Sequence, residues 1–233
     1  MYQVELDMPK GSNRKAEEAE KAEEMMYQIA FIGDLKPIFA KSFETLKRDP
    51  NMRSGDNYRH RAFAVGDILR GEISVSPHSE VFHQSKKLNK YQGGIDRSFP
   101  LIEMDVAKKV ASNVIMAHIY PKLPACDYHF GIHQIRIYTN DEVTGKPAPE
   151  GVHQDGFDYV TVVCVDMQNI TGGNSLLVDI NNHRHIYVNQ ALQEGEMFLF
   201  NDRKYAHYAS PIVPLLPGAG HRDVFVITMQ INK

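Results

Sequence analysis

The stretch Gly151-Val152-His153-Gln154-Asp155-Gly156 sets an imidazole and a carboxylate two residues apart. In extended backbone, side chains at i and i+2 leave the same face, so His153 and Asp155 can reach one ion together. His221-Arg222-Asp223 repeats the pattern, and spacing chooses between the two. A set of two histidines and one carboxylate needs its second histidine from another strand. After Asp223 only ten residues remain, none of them histidine, whereas His183, His185 and His207 all follow Asp155. In a double-stranded barrel several strands intervene, each taking roughly 8 to 10 residues with its turn, so a gap of about 40 or more is expected. His207, 52 residues past Asp155, meets this; His183 and His185, in NNHRHIYV, read as turn and surface-strand residues.

Two neutral imidazoles and a carboxylate on one face leave three coordination positions open, which suits non-haem Fe(II) holding a bidentate co-substrate and O2. Structural zinc would want a fourth protein ligand, preferably sulfur, and neither Cys126 nor Cys164 lies in the motif; catalytic zinc satisfies the same ligand types. Fifteen residues past His207, Arg222 opens the alternating run RDVFVITMQI. Alternation puts Arg222, Val224, Val226, Thr228 and Gln230 on one face, and Asp223, Phe225, Ile227, Met229 and Ile231 on the other. A guanidinium at the inner end of an apolar cavity needs an anion, and a planar carboxylate meets it in a bidentate way. A structural pair between Arg222 and Asp202 is the alternative.

A substrate site is expected on the strand Phe130 to Tyr138. Gln134 and Arg136 share a face with Phe130, Ile132 and Tyr138, while Gly131, His133, Ile135 and Ile137 form an opposite face apolar enough to pack on helices. An arginine and an amide in mid-strand are costly to bury without partners, so either they face solvent or they bind something polar inside the barrel; the cavity is the expectation adopted for Gln134 and Arg136, with the guanidinium on a substrate carboxylate. Arg61, from an early strand, and Arg97, after Gly93-Gly94, compete for that carboxylate.

The elements that position these residues fall into two textures. Helix formers dominate 14–32, with further helical stretches over Leu35 to Arg48 and Glu103 to Tyr120, where Val106, Val110, Val114 and Ala117 would form one stripe. Short alternating segments follow from Tyr58: Arg61–Val65, Glu72–Ser76, Phe130–Tyr138, Tyr159–Asp166, Ser175–Ile180, His185–Val188, Met197–Phe200 and Asp223–Ile231. Helices and then many short strands predict a mainly β barrel or sandwich with flanking helices. One domain over 1–233 is expected, with 1–50 as helical support and 58–233 as the β core.

Composition narrows the partners. The net charge of −3 offers no clustered basic face for nucleic acid, and no apolar run approaches membrane-spanning length. The N-terminus lacks the basic-then-apolar order of a secretory signal, so a cytoplasmic protein with two reduced cysteines is expected.

The His-x-Asp motif, the distal histidine and an arginine one hairpin later together resemble the 2-oxoglutarate/Fe(II) dioxygenase superfamily. More narrowly, from about Arg59 onward the chain is similar to the bacterial free-amino-acid hydroxylases that include isoleucine dioxygenase. The similar stretches are Gly93-Gly94 with Arg97-x-Phe99, Gly131-x-His133-Gln134-x-Arg136, His153-x-Asp155, Gly172-Gly173-x-Ser175, Phe200 to His207 and Arg222-Asp223. The resemblance implies a double-stranded β-helix, a requirement for Fe(II), 2-oxoglutarate and O2, ascorbate as an in vitro reductant, and hydroxylation of a small molecule, here a free L-amino acid, with release of succinate and CO2. Many members place Ser or Thr two residues after the anchoring arginine; here that position is Val224, leaving Thr228 as the candidate second donor to the co-substrate. Asp155 stands where related halogenases carry a small residue, which implies oxygen transfer. A cupin-type isomerase or lyase using the same barrel without 2-oxoglutarate is the alternative.

Overall fold

The structure, a computed structural model, describes residues 27–86, 89, 91 and 93–232. Tyr27–Phe31 is a strand, β1, and not the end of a helix over 14–32, whose residues up to 26 lie outside those described. Its aromatic and β-branched residues suit a pleated surface, and pairing with strand β11 (Glu196–Asn201) packs Tyr27 and Ile29 against a core cluster. Tertiary pairing outweighs local helix preference there.

Helix α1 (Lys36–Phe43) has a proline in its first turn and packs Phe39 and Phe43 on Phe225, with ring centroids 5.2 and 5.1 Å apart. It stops short of Arg48 because the chain joins the sheet edge: Asp49 N–H donates to Arg59 at 2.9 Å, and Arg61 N–H to Lys47 at 3.0 Å. Helix α2 (Met104–Val110) continues as a π-helix (Ala111–Ile119). The wider turn rotates the apolar stripe. Val110 and Val114 are buried as expected, but Ala117 is exposed and Ile115 and Ile119 take its place.

The main sheet is antiparallel, in the order β1, β11, β7 (Tyr159–Gln168), β14 (Gly220–Ile231), β6 (Tyr128–Thr139), β2 (Arg59–Leu69), β3 (Glu72–Val75). A smaller sheet runs β10 (Ile186–Ala191), β9 (Asn174–Asp179), β12 (Tyr205–Ala209), beside a ladder of β13 (Ile212–Pro214) with β8 (Ile170–Gly172). The short strands β4 (Phe82–His83) and β5 (Asp96–Arg97) pair with each other. This is the jelly-roll architecture, mainly β with flanking helices. Among the described residues no helix is long and apolar enough to cross a membrane.

The two faces of the main sheet have different tasks. Phe130, Ile132, Phe225, Ile227 and Met229 join the helices in one core. The other face lines a cavity, and strand register sets its residues in rows. Arg222, Ile137 and Arg59 form one row across β14, β6 and β2; Val224, Ile135 and Arg61 form the next. Val226, His133 and Phe63 follow, then Thr228, Gly131 and Val65.

Candidate active site

His153, in the connection between β6 and β7, is joined to His207 of β12 by a bridge whose two backbone hydrogen bonds measure 2.9 and 2.8 Å. The rings lie 4.2 Å apart. Ligand atoms of His153, Asp155 and His207 all fall within 4.8 Å of one another, the sequence pattern for a metal site realised in space. Asp155 Oδ1 is 3.6 Å from His153 Nε2, and its Oδ2 is 3.6 Å from His207 Nε2. His153 Nδ1 lies 2.8 Å from the Gly151 carbonyl. That oxygen can only accept, so Nδ1 carries a proton and Nε2 is the atom left for a metal.

Charge follows this geometry. Burial disfavours the His153 cation, but Asp155 and then Glu150, whose Oε1 is 3.2 Å from Nε2, outweigh it and raise the ring to about 9. Burial likewise pushes Asp155 up, yet the His153 bond and the charges of His207 and His153 hold it far below the usual carboxylate range. A concentrated negative site flanked by imidazoles fits a divalent cation in donor type and number.

Two supports have no spacing signature in the sequence. Asp202, fully buried, accepts the backbone N–H groups of Asp155, Gly156 and Phe157 at 3.1, 2.6 and 3.2 Å. It holds the loop that carries Asp155 and does not neutralise Arg222. Gln84, just past β4, donates to Asp155 Oδ1 at 3.0 Å and accepts from Arg97 Nη2 at 2.5 Å. Arg97 therefore braces the Asp155 carboxylate through Gln84, and its guanidinium lies 4.9 Å over the Phe82 ring.

The cavity between the sheets, about 950 Å³ counted out to its open mouth, has polar ends and an apolar middle that includes Val162, Phe198, Val224 and Val226. Arg222 occupies the end away from Thr228. It is 3% exposed, it has no carboxylate within ion-pair distance among the described residues, and its Nη2 has no hydrogen-bond partner. The neighbouring Cys164 cannot neutralise it: burial pushes that thiol up to about 11, and Arg222 offsets this only in part. A buried guanidinium with one unpaired nitrogen is what a bound carboxylate would complete.

Thr228 lines the same cavity, but six residues along an unbroken strand put it about 20 Å from Arg222 at ~3.4 Å per residue, so the two cannot share one carboxylate. The expected faces of β6 are reversed. His133, Ile135 and Ile137 line the cavity; Gln134 and Arg136 lie on the helix side. Arg136 stands directly opposite Asp223 and binds it through Nε and Nη2, both at 2.6 Å, and Gln134 donates to Ser42 of α1 at 2.7 Å. Both polar groups are buried with partners on the helix side, so neither solvent nor the cavity is needed to satisfy them. Arg61 does face the cavity, where it is buried and lies 4.2 Å over the Phe99 ring.

The second His-x-Asp motif meets Asp166 on the outer side. Lys36 pairs with Asp166 at 2.6 Å and Arg136 with Asp223, so that cluster is already compensated. His183 and His185 are exposed.

A family model for 2OG-Fe dioxygenases matches residues 40–228. A comparison with curated proteins finds none that matches the chain. Among solved structures, it is similar to a bsmA homolog from Methylobium petroleophilum PM1 (23% identity, TM-score 0.72, 99% of this chain and 97% of that one). It is also similar to IDO from Bacillus thuringiensis (18%, 0.68, 99% and 100%) and to the Fe(II)/α-ketoglutarate-dependent dioxygenase TqaL (13%, 0.60, 95% and 88%). The matched segment contains His153, Asp155, His207 and Arg222, and the chain belongs to the 2OG-Fe dioxygenase family, whose members require Fe(II), 2-oxoglutarate and O2.

Proposed function

We propose that this dioxygenase hydroxylates a free L-amino acid with an apolar side chain. The observation that carries the reading is Arg61, a buried guanidinium lining the cavity with no carboxylate within ion-pair distance among the described residues. Burial lowers its pKa to about 9, although a guanidinium keeps its charge at neutral pH. An anionic partner would repay that desolvation. By row and strand spacing Arg61 is about 12 Å from Arg222 at the backbone, enough for one carboxylate each.

Fe(II) held by His153, Asp155 and His207 would supply oxidative decarboxylation of 2-oxoglutarate with O2, giving succinate and CO2 and oxygenating the substrate. The chain does the placing. Arg222 anchors the distal carboxylate of 2-oxoglutarate, and Arg61 anchors that of the substrate. Phe82, Phe198 and Phe200 line the cavity and exclude water, and Arg97 and Gln84 steady Asp155. Positioning of this kind accounts for much of the rate available to such enzymes.

The test is a panel of the twenty free L-amino acids with enzyme, Fe(II), ascorbate and 2-oxoglutarate, read as a gain of one oxygen with stoichiometric succinate. Expected is hydroxylation of one or more apolar members. Succinate formation stimulated by none of them would sink the reading.

A further inference from the structure

The stretch Gly131-x-His133-Gln134-x-Arg136 is accounted for at three of its four named positions. A Cβ on Gly131 would stand 2.8 Å from Thr228 Oγ1 and 3.0 Å from the Phe63 ring, so only glycine leaves both in place. Gln134 and Arg136 tie the sheet to α1 and to Asp223. None of these contacts needs a histidine at 133.

His133 Nδ1 lies 2.8 Å from Arg61 Nη2. A guanidinium only donates, so Nδ1 accepts and the single ring proton resides on Nε2. Burial and then the charge of Arg61 hold the ring well below the usual histidine range, which keeps it a neutral acceptor. The ring is fixed on both sides: it stacks on Phe63 at 4.3 Å and 14°, and meets Phe82 near-perpendicularly at 4.8 Å. Arg61 is thus covered on one face by Phe99 and held at one edge by an imidazole packed against Phe63 and Phe82.

We propose that His133 is a positioning residue for the substrate: by accepting from Arg61 Nη2 it aims the other guanidinium donors at the substrate carboxylate, and so selects which carbon is presented to the metal. A long arginine side chain has many rotamers, and the carboxylate it holds is only as well placed as the guanidinium. This rests on the reading of Arg61 as the carboxylate anchor. His133 and Arg61 are neighbours across rows, so the pair acts as one built unit on β6 and β2.

The test compares His133→Phe, His133→Gln and His133→Asn with wild type and Arg61→Ala, on the twenty free L-amino acids. His133→Phe keeps the stacked ring and removes the acceptor. The substrate KM should rise about 10- to 100-fold, the range for losing a hydrogen bond to a charged group. Succinate formed per hydroxylated product should increase, with the KM for 2-oxoglutarate within twofold of wild type. His133→Asn places Oδ1 where Nδ1 stood and should recover most of the loss. His133→Gln, whose acceptor lies one bond further out, should not, and serves if the Phe variant does not fold. An Arg61→Ala variant with wild-type substrate KM would refute the anchor reading and this proposal with it. A raised KM in Arg61→Ala alongside unchanged KM and coupling in His133→Phe or His133→Gln, or equal impairment in the Asn and Gln variants, would refute the role of His133 alone.

Discussion

The buried carboxylate of Asp202 holds the backbone of Asp155, accepting its N–H at 3.1 Å, so one acidic residue orients another through the main chain. The two following N–H groups end on the same side chain, which makes the loop's shape depend on Asp202. Removing such outer support of a metal ligand weakens metal binding by about 10- to 100-fold. Asp202→Ala should show that loss in a metal titration, together with a lowered Tm. His153→Ala, Asp155→Ala and His207→Ala should abolish turnover, and His183→Ala and His185→Ala should match wild type. A normally folded His183→Ala as inactive as His207→Ala would overturn the distal ligand.

Arg222 is proposed as the bidentate anchor of 2-oxoglutarate, and in that role Arg222→Ala should cost roughly 2 to 4 kcal/mol in a shielded site. The expected result is a large rise in the KM for 2-oxoglutarate with little change for the substrate. Steady-state kinetics with each varied separately decide this; an unchanged 2-oxoglutarate KM would detach Arg222 from the co-substrate.

The Arg136–Asp223 pair predicts the opposite kind of phenotype. Arg136→Ala leaves a buried carboxylate without its cation, which destabilises by about 3 to 5 kcal/mol when such a pair is broken on one side. Chemical denaturation should reveal the loss, and Arg136→Ala/Asp223→Ala should regain part of it. Protein that folds should keep its substrate KM. A KM change without a stability change would return Arg136 to the cavity.

Metal loading should depend on pH in a defined direction. His153, with its pKa raised to about 9, carries a proton at pH 7 in the metal-free protein, and that state is stabilised below the unfolded value near 6.5 and lost as pH rises through about 9. Ligation requires the neutral ring, so binding should release about one proton, and apparent affinity should weaken as pH falls below about 9. Calorimetry in two buffers of different ionisation enthalpy measures the release. Identical apparent enthalpies would contradict it.

What could be read from the chain was governed by distance along it. The grouping of His153, Asp155 and His207 and the cavity-facing side of Arg222 were readable because a two-residue period and a hairpin-scale gap are one-dimensional facts, and the alternation of β14 is found as read. Asp202 and Gln84 act through backbone and through a loop partner 71 residues away, which leaves no periodic trace. The reversal of β6 was nonetheless implicit. If Arg222 points inward, Asp223 must point outward, and a buried aspartate there requires a cation on the adjoining strand; Arg136 is that cation. For β1, pairing with β11 decided between helix and strand, and no local preference reports that.

The row layout of the cavity wall carries a consequence for how such an enzyme can diversify. Arg222 and Arg61 sit in adjacent rows on strands two apart, and His153, Asp155 and His207 come from other segments altogether. With the roles proposed above, each ligand would be held by its own segment of the barrel. Exchanging Ile135 or Val224 for a larger or smaller apolar residue would alter the room between the two guanidinium groups while leaving both arginines and the loop of His153 and Asp155 untouched. The wall behaves as a ruler with two fixed marks, and the graduation between them is the part a lineage is free to redraw.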